Sequence, residues 1–141
     1  MGRRMVRVAA AVVMSASTLV WNVDVAVAEY SVDQTLSQSD GISNDSFGWS
    51  VALSADGDTA IVGAKEADPG GNYNQGSATV FTRSGGTWTE QQILTQPDSD
   101  SDPEFGWSVA LSADGDTAVV GAMQDSVDGK DRQGTATVFT R

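Results

Sequence analysis

Large and small side chains alternate from residue 47 to residue 54. Phe47, Trp49, Val51 and Leu53 are bulky, and Gly48, Ser50, Ala52 and Ser54 between them are small. A period of two is the mark of a β-strand, here with one bulky and one flat face. Asp56-Gly57 follows, a dipeptide suited to a tight hairpin because glycine tolerates positive φ. A second strand is predicted over 59–64, a loop rich in Gly, Asn and Pro over 68–76, and a third strand over 77–83. Ser84-Gly85-Gly86 makes another turn, and residues 87–95, built around Trp88, Ile93 and Leu94, make a fourth strand. No segment sustains a helical period. A sheet wetted on one face would carry polar, often charged, residues there. The opposite face here holds Gly, Ser and Ala, so a neighbour can approach from both sides. Sheets stacked about 10 Å apart, bulky face on flat face, satisfy this pattern.

The same pattern occurs twice. Residues 34–83 align with 92–141 at a constant offset of 58, without a gap. The run from Phe47 to Ala60 recurs unchanged as Phe105 to Ala118, Val62-Gly63-Ala64 as Val120-Gly121-Ala122, and Ala78 to Arg83 as Ala136 to Arg141. Self-similarity at a fixed period marks a repeat architecture in which each unit covers its neighbour.

These residues carry a family resemblance. Phe47-Gly48 opening one strand, Val62-Gly63-Ala64 closing the next, and Gly76-Ser77-Ala78-Thr79-Val80-Phe81 after them resemble the FG-GAP repeat of integrin α-chain propellers. Exported bacterial and archaeal proteins with tandem copies are closer still. Lys65 and Met123 depart from the pattern, standing where many members have Pro. The resemblance implies an all-β fold of two four-stranded antiparallel β-propeller blades, with repeat 1 over about 34–91 and repeat 2 over about 92–141. In that alignment the second repeat lacks its last strand. Tyr30 falls 58 residues before Trp88, so Tyr30 to Leu36 matches the last strand of a preceding blade. A handover, in which this segment fills the missing place, and a piece of a longer chain are both open readings. A propeller typically closes with about 4–8 blades. An open pair leaves apolar faces and strand edges uncovered, so further blades or assembly of several chains is expected.

The first residues read differently. Arg3, Arg4 and Arg7 precede an apolar run from Val8 to Val20, and Ala26-Val27-Ala28 ends in small residues. A basic start, an apolar middle and a small-residue end predict a secretory signal peptide over 1–28. Ser15, Ser17, Thr18, Asn22 and Asp24 interrupt the roughly 20 apolar residues that a membrane-spanning anchor needs. The chain has 8 basic and 19 acidic residues, and cleavage after Ala28 would remove three and one of them, leaving 5 and 18, a net charge of −13. Such a surface repels nucleic acid and anionic lipid, which need clustered Lys and Arg. There is no Cys and no His, which excludes disulfides, thiolate nucleophiles and the usual general base and transition-metal ligand.

Carboxylates and aromatics remain as candidate chemistry. Asp98, Asp100 and Asp102 alternate as at the start of a calcium loop, since hard cations collect several carboxylate oxygens from one turn. The matching stretch Asp40-Gly41-Ile42-Ser43-Asn44-Asp45 has Ile42 in the middle position, and a solvated acidic turn explains both. Many integrin-like blades hold calcium in an acidic loop before the second strand. Asp56-Gly57-Asp58 and Asp114-Gly115-Asp116 stand there with two carboxylates each, and also serve as hairpin turns without metal. Trp49, Trp107, Trp88 and Tyr30 could stack on sugar rings, although packing between blades accounts for Trp49 and Trp107. No acid sits in an apolar stretch that would raise its pKa for catalysis. The expectation is a non-catalytic exported binding or adhesion module with no required cofactor, whose loops contact a protein or glycan. The structural propeller portion of a larger secreted enzyme and a truncated gene fragment are the alternatives.

Overall fold

The computed structural model of the chain describes residues 28–71, 73–96 and 102–141. The predicted signal peptide, apart from Ala28, lies outside the described residues, as do Asp98 and Asp100. Two units divide the chain at Asp33 and Gln34, and both sheets belong to the second.

Seven strands form among the described residues: β1 (Phe47–Leu53), β2 (Thr59–Ala64), β3 (Ser77–Ser84), β4 (Thr87–Leu94), β5 (Phe105–Leu111), β6 (Thr117–Ala122) and β7 (Thr135–Thr140). They pair antiparallel in chain order as a four-stranded sheet, β1-β2-β3-β4, and a three-stranded sheet, β5-β6-β7. The all-β prediction holds, and the predicted strand limits agree with the observed ones to within a residue. Both hairpins at Asp-Gly close alike. In the first, the Gly57 amide donates to the Ser54 carbonyl at 3.0 Å and the Ser54 amide to the Thr59 carbonyl at 2.9 Å.

The two sheets stack as the alternation requires. Val109 and Leu111, bulky residues of β5, pack on Ala52, Ile61, Ala78 and Val80 of the first sheet. Phe105 sits at the centre of this layer, fully buried, with its ring 6.1 Å from that of Phe139 in an edge-on contact. Burying one such side chain stabilises the fold by about 1.5–3 kcal/mol. A second, smaller cluster lies on the far side of the first sheet, where Ala60, Val62 and Phe81 meet Leu36, Phe47 and Trp88.

Close approach of the sheets depends on three glycines, Gly63, Gly76 and Gly106. Gly106 has φ +91°, and a Cβ there would meet the Ser77 carbonyl oxygen at 2.2 Å. A Cβ on Gly63 would meet the Gly106 carbonyl oxygen at 2.2 Å. The Phe-Gly and Val-Gly-Ala signatures thus form one contact seen from its two sides. Gly76 and Phe105 join the sheets further through a parallel bridge, with the Phe105 amide donating to the Gln75 carbonyl at 3.1 Å.

The segment matched in sequence to a preceding blade's last strand, Tyr30 to Leu36, contains no strand. A strand persists only where a neighbour accepts and donates its backbone hydrogen bonds, and no ladder partner lies beside residues 34–36 among the described residues. Side chains hold this stretch instead: the Gln34 amide group donates to the Trp88 carbonyl at 3.0 Å and accepts from the Trp88 amide at 2.9 Å.

Candidate functional site

The bulky row of β1 does not run straight. Val51 and Leu53 face away from the second sheet, yet Trp49 touches Trp107 of β5, with ring centroids 5.2 Å apart and planes tilted by 48°. The β1–β2 register shifts between Phe47 and Ser50, where Gly48 has φ +93°. That irregularity takes Trp49 out of the alternation and brings it to the end of the sheet stack. The same shift recurs between Phe105 and Ser108, so each repeat delivers one indole to the same place.

Lys65 lies against both indoles. Its ammonium is 4.5 Å from the centroid of Trp49 and 5.5 Å from that of Trp107. It donates to Glu66 at 2.5 Å, and Glu104 stands 3.9 Å away. A buried ammonium requires such partners. Glu66 also accepts from the Ser46 hydroxyl, and these bonds, Lys65 first, lower its pKa below the usual carboxylate value. Trp49 remains half exposed, at 51%. Trp107 is partly buried although a blade covers its sheet. Sequence reading placed both indoles between the sheets. The structure stacks them against each other at an open end, and only the glycine at each Phe-Gly signals the break.

The four hairpin carboxylates named as calcium candidates are already engaged, Asp56 and Asp114 within their own turns and Asp58 and Asp116 by arginines from outside them. Asp56 accepts from the Ser54 hydroxyl and from the Asp58 amide, and Asp114 from the Ser112 hydroxyl and the Asp116 amide. The hydroxyl bond is the larger cause, and the amide the next, of a lowered pKa at both Asp56 and Asp114. Asp58 pairs with Arg83 at 2.9 Å and Asp116 with Arg141 at 3.0 Å. Among the described residues, no group of three or more acidic side chains gathers as a cation site would require. Asp102 has φ +45° and a buried Oδ1 without a hydrogen-bond partner, as has Oε2 of Glu104. Both flank buried Pro103 at the start of β5.

Comparison with protein families matches the FG-GAP repeat twice, over residues 30–81 and 88–139, which together make up well over half of the chain. The chain belongs to the FG-GAP repeat family. FG-GAP repeats are typically β-propeller modules, and the two stacked antiparallel sheets are consistent with propeller blades. FG-GAP repeats also occur in extracellular proteins, and no helix among the described residues is long and apolar enough to cross a membrane. A search of curated proteins finds no match. The two family matches begin at equivalent residues, Tyr30 and Trp88, 58 positions apart.

Proposed function

We propose that this FG-GAP protein is an exported, non-catalytic binding module, in which the blades form a rigid scaffold and one end of the stack contacts a protein or glycan ligand. The supporting observation is the indole pair Trp49–Trp107, delivered once per repeat to the same end and left half exposed at Trp49. Flat, rigid aromatic surface with a polar handle binds at small entropic cost. The non-catalytic reading draws on the carboxylates. Among the described residues, the carboxylates with displaced pKa, Asp56, Glu66 and Asp114, are displaced downward, the opposite of what a proton donor at neutral pH needs. Export rests on the amino-terminal pattern and an acidic surface suited to solubility.

Glycan-array and pull-down profiling of the native protein beside Trp49→Ala tests this reading. Ligand capture that Trp49→Ala abolishes, with circular dichroism unchanged, is expected. Absence of any ligand, or capture indifferent to Trp49, overturns it.

A further inference from the structure

The contact between the two sheets serves as a template for a contact the described residues leave open. Each residue of the first repeat has an equivalent 58 positions later, so one residue type is seen both covered and uncovered. Ile61 is fully buried under the second sheet, whereas its equivalent Val119 is exposed. Ala78 is buried and Ala136 is exposed. Ser50 donates its hydroxyl to the Gly106 carbonyl at 2.7 Å, whereas Ser108 is exposed. On the opposite side, Val109 and Leu111 are packed, whereas Val51 and Leu53 are 68% and 61% exposed. The molecule therefore presents the flat face of the second sheet, with Val138 61% exposed on it, and the bulky face of the first. The two open faces carry the residue types that already fit together between the sheets.

The strand edges complete the match. Leu94 of β4 packs on the cluster containing Ala118, Val120 and Phe139, and its equivalent Leu36 packs on Ala60, Val62 and Phe81. Gln96 accepts from the Thr135 hydroxyl at 3.5 Å, and Gln38 accepts from the equivalent Ser77 at 3.1 Å. Residues 34–38 thus lie against the first sheet as 92–96 lie against the second. They occupy the place of a last strand, with no sheet beside them to join. The sheet β5-β6-β7 has the converse lack, since β7 carries no strand on its outer edge among the described residues.

We infer that two copies of this chain associate head to tail, with residues 30–36 of one copy pairing as a fourth strand along β7 of the other while the flat face of its second sheet covers the bulky face of the first copy's first sheet. Strand addition satisfies the backbone groups of both edges, and face-to-face stacking buries the apolar row. Leu36 already faces the sheet it would face in the assembly. Tyr30, equivalent to Trp88, would arrive at the cleft of about 330 Å³ bordered by Val80, Leu94, Leu111 and Phe139. The interface is heterologous, so repetition builds a ring or a filament. By the same template Trp107 of one copy would stand beside Trp49 of the other, so cross-linking and sedimentation read the assembly by itself, and the Trp49→Ala ligand profile reads the binding surface by itself.

The register of β3 and β4 sets the test. Thr82 stands opposite Thr89, which maps to Thr140 opposite Ser31 of the other copy. The chain has no cysteine, so full chains carrying Ser31→Cys can be mixed with full chains carrying Thr140→Cys under mild oxidation. A disulfide-linked heterodimer is expected, lost when Thr135→Cys replaces Thr140→Cys. In sedimentation, the unmodified chain should form oligomers that Leu53→Glu and Val138→Glu each reduce to monomers without changing circular dichroism. A monomeric unmodified chain, or cross-linking indifferent to register, overturns the inference.

Discussion

Identical residues in the two repeats have different energetic weight because their surroundings differ. Phe105 is fully buried between the sheets, whereas Phe47 is only partly covered. Phe105→Ala should cost about 3–5 kcal/mol, the range for deleting a buried aromatic, and Phe47→Ala clearly less, as measured by urea denaturation. The hairpin carboxylates make a pH prediction. Asp56 and Asp114 have lowered pKa in the fold, chiefly through the Ser54 and Ser112 hydroxyls. A depressed carboxylate contributes stability that is present above its unfolded pKa, about 3.9, and is lost as pH falls through the lower folded value. The double variant Ser54→Ala with Ser112→Ala should therefore be less stable than the native protein at neutral pH. The gap should narrow on acidification below about pH 4, as thermal melts across an acid series would record.

At the level of strands and turns, the glycines show how a two-residue signature becomes an interface. Gly63 and Gly121 are equivalent, and a Cβ on either meets the hydroxyl of the facing serine, which can rotate away. Only Gly63 also faces a backbone carbonyl of the other sheet, that of Gly106. Gly63→Ala should consequently destabilise the stack by about 1–3 kcal/mol through overpacking, and Gly121→Ala should leave the melting temperature of a single chain nearly unchanged. Differential scanning calorimetry of both variants distinguishes these outcomes. Equal losses would show that the hydroxyl contact, rather than the approach of the sheets, sets the requirement for glycine.

The whole molecule carries a net charge of −11. Its ion pairs Arg83–Asp58 and Arg141–Asp116 are largely exposed and contribute little, since such pairs are worth about 0–1 kcal/mol each. Self-repulsion among the remaining carboxylates outweighs them and is screened by salt. Raising sodium chloride from low to physiological strength should raise the melting temperature. A fall would show that the paired charges dominate.

Much of this architecture was legible in the residues alone. The period-two rows placed β1 through β4, and the 58-residue recurrence placed β5 through β7, because alternation and turn chemistry are local properties of the chain. The stacking of bulky on flat was legible too, since small residues opposite large ones leave room for only one kind of neighbour. Three features were decided by tertiary structure. Trp49 leaves its row because a glycine at positive φ shifts the register, and residues 30–36 form no strand because a strand exists only beside a partner. The hairpin aspartates are held by Ser54, Ser112, Arg83 and Arg141, and the two arginines stand in β3 and just after β7, which only folding brings alongside the turns. Local pattern dictates which elements form. Long-range contact dictates which of their groups are satisfied and which remain open to a partner.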